Sequence, residues 1–444
     1  MHDRRRFLGG LTAGAALPLI PSAALAQDLS GPAKYGSPSR TFPFTAEVYR
    51  ERRAKLMEKM GGGVGLVYGA TTLPDGVLDP LAGQSDDFEY LTGLHDIAGA
   101  ALLLAPDEEE GSREYLLVAE ANAETDRWFG VRLWSGAEIE SRTGFEKVYR
   151  TRSLAGLTAA LAARAGTMHF LGPVVSPSAP LPPVLDLYGK IAARNPGVKT
   201  VNSAHLIRDM RLVKEPREID LITKAIRATE AGITLAMKQV KLGMTERQLK
   251  AIMETGFREA GGDGLGFPSN SSTGMATTAL HYGGNDGVIH DGDMIQLDVG
   301  AHVGGYSADI SRAFPANGKF TDEQRKVYEI VLAAQNAGAA QLKAGVPYSA
   351  AQRAAEKLID AAGYGDAFWH GLGHPIGLDV HDVGDWRAPL PANTTLTIEP
   401  GIYLPERGFG IRIEDDYLVT KTGSRHMSDG TPRDPDAIEA LMAG

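Results

Sequence analysis

The chain has 444 residues, of which 43% are hydrophobic and 23% charged, and its formal net charge is −10. This length exceeds what one hydrophobic core usually serves, so we expect two globular domains. The negative charge argues against nucleic acid or an anionic membrane as a partner. Because the sequence contains no cysteine, disulfides, thiolate ligands and a cysteine nucleophile are excluded, and any metal must be held by His, Asp and Glu.

The first 26 residues have the pattern of an export signal. The basic start DRRR is followed by a short apolar segment and by the small-x-small cleavage site ALA. The arginine pair at positions 4 and 5 is typical of the twin-arginine form of such signals. A membrane anchor is the alternative, but the apolar segment is shorter than the roughly 20 residues that a span needs. Residues 1–26 are therefore predicted to be a twin-arginine signal peptide for export to the periplasm.

The next part of the chain is predicted to be an α/β domain. Residues 27–45 are rich in Gly, Pro and Ser and are predicted to be a flexible lead-in. In residues 46–205, helical and strand-like patterns alternate. We predict helices in EVYRERRAKLMEKM and SLAGLTAALAARAG, and strands in GGGVGLVYGA, FEYLTGL, AGAALLLA, EYLLVAE and TMHFLG. A phosphate loop at GGGVG is disfavoured because neither a Lys-Ser/Thr ending nor a helix follows it.

Residues 206–444 have long helical patterns and a weak internal repeat. KLGMTERQLKAIMETGFREAG, from Lys241, aligns with KAGVPYSAAQRAAEKLIDAAG, from Lys343, with five identities over 21 positions. Each copy follows a long amphipathic helix, is itself helical and precedes two strand-like runs. This order predicts a duplicated unit whose helices pack on one face of a curved sheet and leave the concave face free.

The strand-like runs carry acidic residues opposite buried aliphatic ones. In MIQLDVG and GYSADIS, period-two alternation places Asp298 and Asp309 on one polar face, where we expect them to meet across a hairpin. Glu399 and Glu414 occupy comparable positions in the second copy. Any one of these acids alone would be interpreted as a turn cap or a surface charge. Four carboxylates in one cavity would repel each other unless cations bound them, so two divalent ions with one histidine ligand are predicted.

Three of the eleven histidines lie in HGLGHPIGLDVHD, residues 370–382. His370 and His374 have the spacing of two zinc ligands on one helix face. The glycines between them and the following proline disfavour a helix, however, and no glutamate follows His370. An oxygen-rich ligand set with one nitrogen and no sulfur suits Mn²⁺ best, with Co²⁺ or Zn²⁺ as substitutes.

The motifs LHYGGND, QLDVGAHVGGYSADISRAFP, HGLGHPIGLDVHDVG, TIEPGIY and GIRIEDD together resemble the pita-bread metallopeptidases, most closely aminopeptidase P. QSDDFEYLTGL is similar to the creatinase-type N-terminal domain of that family. The resemblance covers nearly the whole chain after the signal. It implies two α/β domains, a smaller N-terminal one and a C-terminal pita-bread domain with a pseudo-twofold repeat of helices on a curved, mainly antiparallel sheet.

The resemblance also implies roles for nine residues. The metal ligands, carried over by position, would be Asp298, Asp309, His374, Glu399 and Glu414, with Asp309 and Glu414 bridging both ions. His281, His370 and His381 would orient the scissile carbonyl, stabilise the oxyanion and relay protons to the leaving nitrogen. Arg412 would hold Glu414 or the polar end of the substrate.

The activity that the resemblance implies is hydrolysis of the N-terminal Xaa-Pro bond of peptides by a hydroxide bridging two metal ions. The expected partners are peptides with proline in the second position, and the expected assembly is a homodimer or homotetramer. Prolidase, which cleaves Xaa-Pro dipeptides, is the nearest alternative, although the short connection LPERGFG favours aminopeptidase P. Methionine aminopeptidase fits less well because it usually lacks the N-terminal domain. A non-catalytic pita-bread binding protein is the alternative from another class, but such relatives lose the ligands that this chain keeps.

Overall fold

The computed structural model describes residues 43–69, 85–94, 99–120, 139–140, 143–173 and 176–444. All of these belong to one compact unit, formed by Arg40–Glu120 and Trp134–Gly444. The predicted signal peptide and almost all of the predicted lead-in lie outside the described residues. No helix within the described ranges is long and apolar enough to cross a bilayer.

A six-stranded mixed sheet forms the centre of the N-terminal part. Its strands β1 to β6 are Val64–Tyr68, Ala101–Leu104, Glu114–Val118, Val148–Arg150, Thr167–Phe170 and Lys199–Asn202. Their spatial order is β4-β3-β2-β1-β5-β6, and β2 is antiparallel to both of its neighbours while the other pairs are parallel. The helices α1 to α5 are Ala46–Met60, Asp86–Thr92, Leu154–Ala165, Pro183–Ala192 and His205–Leu212. Aliphatic side chains of the sheet pack with α3 and α4 into a separate hydrophobic core.

The prediction of a strand at FEYLTGL is wrong, because this segment belongs to helix α2. The Ser85 side chain caps the helix by accepting a hydrogen bond from the N–H of Phe88. Asp86 and Asp87 lie in the first turn, where the helix dipole favours negative charge. Gly93 ends the helix in the left-handed conformation. These local capping signals outweigh the strand preference of the aromatic residues between them.

The C-terminal part contains two successive pairs of packed helices, as the repeat predicted. Its helices α6 to α10 are Pro216–Gln239, Glu246–Glu259, Asp322–Ala339, Ser349–Ala361 and Pro435–Ala443. α6 packs against α7, and α8 packs against α9. α6, α7 and α8 each begin with a capping box, in which the cap residue and the third helical residue exchange hydrogen bonds.

The helices pack against short antiparallel strands. The strands β7 to β17 are Gly264–Leu265, Asn270–Thr273, Met294–Val299, Ala301–Val303, Tyr306–Ser307, Ile310–Pro315, Thr395–Ile398, Gly401–Leu404, Phe409–Arg412, Asp415–Val419 and Ser424–His426. They form the groups β8-β9-β12, β7-β10-β11, β13-β16-β17 and β14-β15. A second hydrophobic core lies between these strands and the helices. The fold is therefore the predicted two-domain α/β architecture with a mainly antiparallel C-terminal part.

The predicted hairpin of Asp298 and Asp309 is interrupted in the structure. β9 pairs with β12, but Asp298 lies opposite Ser311, and Asp309 precedes β12. The chain between them forms β10 and β11, which belong to another strand group. A side chain at Gly300 would collide with the carbonyl oxygen of Ala308, so the chain crosses itself closely here. The alternation of the sequence indicated the polar face correctly but not this crossing.

A buried group of charges joins the two parts of the molecule. Arg211 at the end of α5 donates to Asp87 of α2 at 2.7 Å and to Asp382 at 2.6 Å. Lys214, just before α6, donates to the other oxygen of Asp382 at 2.9 Å. We call Asp86, Asp87, Arg211, Lys214 and Asp382 the Asp382 cluster. Through it, the N-terminal sheet domain contacts the histidine-rich segment of the C-terminal part.

Candidate metal centre

All nine residues that the sequence predicted for the site line one cavity of about 790 Å³. Asp298 projects from β9, and Asp309 directly precedes β12. Glu399 lies between β13 and β14, and Glu414 lies between β15 and β16. The segment that carries His370, His374 and His381 contains no helix, as its glycines and proline predicted. The cavity is also lined by Lys250, Phe267, Pro268, Asn270 and Tyr282.

Three of the predicted ligands converge closely. Asp309, His374 and Glu414 each offer a ligand atom, and these atoms lie within 4.8 Å of one another. Nε2 of His374 is 3.5 Å from Oδ2 of Asp309 and 3.7 Å from Oε1 of Glu399. Oδ1 of Asp309 and Oε1 of Glu414 are buried and have no hydrogen-bond partner among the described residues. Unpaired buried oxygens of this kind fit a centre that coordinates cations.

The electrostatics of the cavity also favour cations. Burial raises the pKa of Asp309 well above its usual value, and the charges of Glu414 and Asp298 raise it further. Burial and the neighbouring Glu414 likewise raise the pKa of Glu399. The pKa of Glu414 is raised to about 7, first by burial and then by Asp298. Divalent cations would remove this repulsion and keep the carboxylates ionised at neutral pH.

His374 is oriented by hydrogen bonds that leave one ring nitrogen for a metal. Its backbone N–H donates to Oγ1 of Thr397 at 3.0 Å. Nδ1 lies 3.1 Å from the carbonyl oxygen of Pro375, which only accepts, so Nδ1 carries the proton. Nε2 is then the unprotonated nitrogen and faces the carboxylates.

Arg412 pairs with a different acid from the one predicted. Its Nη2 is 2.6 Å from Oδ2 of Asp298, and its Nε donates to Oγ of Ser311 at 2.9 Å. Oγ of Ser311 in turn lies 3.0 Å from Oε2 of Glu414. Arg412 therefore reaches Glu414 only through Ser311, and its other predicted role, holding the polar end of the substrate, stays a prediction. Arg412 is on β15 and Asp298 on β9, so alternation along one strand could not identify this pair.

The three remaining histidines differ in their surroundings. Nδ1 of His370 donates to the Gly371 carbonyl at 2.8 Å, and its Nε2 accepts from the Tyr403 hydroxyl at 2.8 Å. Burial and then Arg412 lower the pKa of His370 to about 4, so its ring is neutral at neutral pH. The ring of His381 is 4.2 Å from that of His374, and burial and His374 lower the pKa of His381. His281 and His381 are both exposed to the cavity.

Comparison with known proteins agrees with this geometry. Residues 220–421 match the model of metallopeptidase family M24, and residues 49–169 match that of the aminopeptidase P N-terminal domain. The uncharacterized peptidase YqhT of Bacillus subtilis (strain 168) is 32% identical over 242 residues, which are 54% of this chain and 68% of YqhT. The chain belongs to metallopeptidase family M24.

This M24 chain is also similar to other proteins over most of its length. The Xaa-Pro aminopeptidase of Escherichia coli (strain K12) is 29% identical over 435 residues, which are 89% of this chain and 97% of the relative. A structure of E. coli aminopeptidase P with the inhibitor Pro-Leu is 26% identical and has a TM-score of 0.79, covering 90% of this chain and 98% of that one. The M24 chain thus has the aminopeptidase P architecture and is a metallo-aminopeptidase.

Two polar residues of this M24 site were missing from the sequence prediction. Ser311 shares the alternation of Asp309, which was a usable signal for its place on the polar face. Tyr403 lies on β14, and its hydroxyl accepts from Nη1 of Arg412 at 3.1 Å while contacting His370. Arg412 is only nine residues further on, on the strand paired with β14, so this pairing was a usable signal, whereas His370 lies 33 residues earlier in the sequence.

Proposed function

We propose that this M24 peptidase removes the N-terminal residue from peptides whose second residue is proline, with the aid of two divalent metal ions. The main support is the convergence of four carboxylates and His374 in one cavity, with unpaired buried oxygens on Asp309 and Glu414. The name of the E. coli relative, Xaa-Pro aminopeptidase, supports the choice of substrate.

The residues that hold the ions are proposed to be those that the sequence suggested: Asp298, Asp309, His374, Glu399 and Glu414. Asp309 and Glu414 each have one oxygen without a partner in the described part of the chain, and these oxygens would be free to hold the ions. When bound, the ions polarise the scissile carbonyl and make the attacking water more acidic. The oxygen-rich ligand set favours Mn²⁺, with Co²⁺ or Zn²⁺ as substitutes.

The other side chains are proposed to orient the peptide and move protons. The nitrogen of the scissile X–Pro amide must gain a proton when it leaves. His281 and His381 are exposed to the cavity and can exchange protons with water, which suits them to this transfer. His370 is proposed to act as a neutral ring that places the Tyr403 hydroxyl next to Arg412. Arg412 holds the Asp298 carboxylate in position.

Activity of the metal-free and reloaded protein tests this function. The protein is stripped of metal and reloaded with Mn²⁺, and hydrolysis of a Gly-Pro dipeptide and of a longer Xaa-Pro-Yaa peptide is followed. Metal-dependent release of only the first residue from the longer peptide is the expected result. Cleavage of the dipeptide alone would identify prolidase activity instead. Absence of metal-dependent cleavage of either peptide would contradict the substrate proposal.

Matched variants test the metal site separately. Asp309→Ala removes a proposed metal ligand and should abolish activity and lower the bound Mn²⁺. Asp220→Ala, at an exposed acid on α6, changes the net charge equally outside the cavity and should leave both unchanged. Unchanged metal content in Asp309→Ala would contradict the ligand assignment.

The cellular location and assembly are proposed from the sequence. We propose twin-arginine export to the periplasm, which rests on the arginine pair at positions 4 and 5. Replacing both arginines with lysine should keep the precursor inside the cell, and cell fractionation measures this. A dimer or tetramer is proposed as the assembly, and light scattering of the purified protein would distinguish it from a monomer.

A further inference from the structure

Asn270 presents a buried hydrogen-bond acceptor in the cavity beside Asp298. It is the first residue of β8 and pairs with Asp298 of β9 in antiparallel register. The residue lines the cavity and is 6% exposed. Its Nδ2 donates to the carbonyl oxygen of Leu280 at 3.4 Å. Its Oδ1 is buried and has no hydrogen-bond partner in the described part of the chain.

The unpaired Oδ1 of Asn270 is energetically unfavourable in the ligand-free protein. The Leu280 carbonyl can only accept, so it fixes which end of the amide carries the N–H₂ group. Oδ1 is then directed away from Leu280 with nothing to accept. A buried acceptor without a donor is unfavourable, and in native proteins such groups are uncommon. A hydrogen-bond donor that enters the cavity would satisfy Oδ1.

The chemistry of the proposed substrate leaves one such donor near Asp298. The nitrogen of an X–Pro bond carries no hydrogen, so the scissile amide cannot donate. The free α-amino group of the first residue is the remaining donor on that side of the bond, and it carries more than one N–H. The oxygens of Asp298 already contact Arg412 at 2.6 Å and the Ser311 hydroxyl at 3.3 Å. An additional acceptor next to Asp298 would give the amino group a second partner beside this carboxylate.

We propose that Oδ1 of Asn270 accepts a hydrogen bond from the α-amino group of the peptide substrate, next to the charge of Asp298. This inference rests on the proposed function and adds a residue that selects a free N-terminus. A peptide without the amino group leaves Oδ1 unpaired, as it is in the free protein, so that peptide gains nothing from Asn270 while a peptide with a free N-terminus gains a hydrogen bond.

Asn270→Leu tests this proposal because leucine has a similar size but no acceptor. The peptide Ala-Pro-Ala and its analogue propionyl-Pro-Ala differ only in the α-amino group. In the variant, kcat/KM for Ala-Pro-Ala should fall by about tenfold or more, as expected for a hydrogen bond to a charged group. The inhibition constant of propionyl-Pro-Ala, measured against a fluorogenic Xaa-Pro substrate, should stay unchanged.

Two further measurements separate amine binding from other roles of Asn270. The melting temperature of the ligand-free variant should fall little, because Oδ1 has no partner to lose in the described structure and Nδ2 loses only its 3.4 Å hydrogen bond to the Leu280 carbonyl. The Mn²⁺ content should also stay the same. Ser271→Ala is the matched control: Ser271 is the buried neighbour on β8, its Oγ is also unpaired, and it does not line the cavity. This variant should retain wild-type kcat/KM for Ala-Pro-Ala.

Other outcomes would overturn the proposal. Equal weakening of the peptide and its analogue would mean that Asn270 only shapes the cavity. A loss of Mn²⁺ would assign Asn270 to the metal site, and wild-type kinetics in Asn270→Leu would remove it from the site. If the wild-type protein cleaves no Xaa-Pro peptide, the proposed function itself fails. Calorimetric titration of both ligands into wild type and variant then decides whether Asn270 binds the amino group.

Discussion

The orientation of His374 depends on the glycine before it. Gly373 has a φ of 151°, and a Cβ added there would lie 2.5 Å from the carbonyl oxygen and 2.6 Å from the hydroxyl oxygen of Thr397. That hydroxyl accepts the hydrogen bond from the backbone N–H of His374. Any side chain at position 373 therefore disturbs the contacts that direct the His374 ring toward the carboxylates.

We expect Gly373→Ala to weaken Mn²⁺ binding by about tenfold or more, in the range seen when groups that orient a metal ligand are disturbed. Gly371→Ala is the matched control, because a Cβ at Gly371 meets no described atom within 4 Å. That variant should bind Mn²⁺ like the wild type. Calorimetric titration of Mn²⁺ into the metal-free proteins measures both. Similar losses in the two variants would show that the segment, rather than this contact, is sensitive.

At the level of elements, helix α2 places an acid where its charge is poorly compensated. Asp86 shares the Arg211 guanidinium with two other acids, and its contact at 3.2 Å is the longest of the three. Burial raises the pKa of Asp86 from 3.8 to about 7, although Arg211 opposes the shift, and Asp379 and Asp382 add to it. The folded protein thus binds a proton at Asp86 more tightly than the unfolded chain does.

The sign of this shift predicts how stability changes with pH. A raised carboxyl pKa stabilises the fold at low pH, and this contribution is lost as the pH rises from about 4 to 7. Asp86→Asn cannot titrate, so its melting temperature relative to wild type should be higher at pH 8 than at pH 5. Differential scanning calorimetry at the two pH values measures this. A relative melting temperature that is the same at both pH values would contradict the shifted pKa.

The sequence predicted some of these elements correctly but not others. Period-two alternation was sufficient to find the strand that carries Asp298 and strand β15, which ends just before Glu414. It failed at α2, where the caps Ser85 and Gly93 decide the structure. The pairing of Arg412 with Asp298, and the unpaired oxygen of Asn270, depend on strand neighbours more than 25 residues apart in sequence. Such contacts follow from the tertiary packing and have no local pattern.

At the scale of the whole molecule, the Asp382 cluster connects the N-terminal domain to the catalytic cavity. Asp382 follows His381, and its backbone N–H donates to the carbonyl of Pro375 at 2.9 Å, which closes the loop after His374. Its side chain is 2% exposed, and that of Lys214 is 1% exposed. Burial alone would raise the pKa of Asp382, but Lys214 and Arg211 lower it below its usual value. The loop between His374 and His381 is therefore held by cations next to the N-terminal domain.

Asp382→Asn should lower the free energy of unfolding at pH 7 by about 3 kcal/mol or more, since it leaves the buried charge of Lys214 uncompensated. It should also reduce kcat, because the loop that carries His374 and His381 loses its anchor. Asp436→Asn is the control: this acid pairs with Arg325 at 2.8 Å, but its side chain is 83% exposed. Exposed pairs contribute less than about 1 kcal/mol, so this variant should resemble the wild type in urea denaturation and kinetics.

The pH dependence of the free energy of unfolding shows whether the carboxylate charge of Asp382 causes the loss of stability in Asp382→Asn. A lowered carboxyl pKa stabilises the fold above the unfolded pKa of about 3.9, and this contribution disappears as the pH falls through the lower folded value. The stability difference between wild type and Asp382→Asn should therefore be full at pH 7 and shrink as the solution is acidified toward pH 3. A difference that stays constant over this range would mean that the carboxylate charge is not what holds the loop. If Asp382→Asn loses stability but keeps its kcat, the Asp382 cluster joins the two parts of the molecule without positioning the histidines.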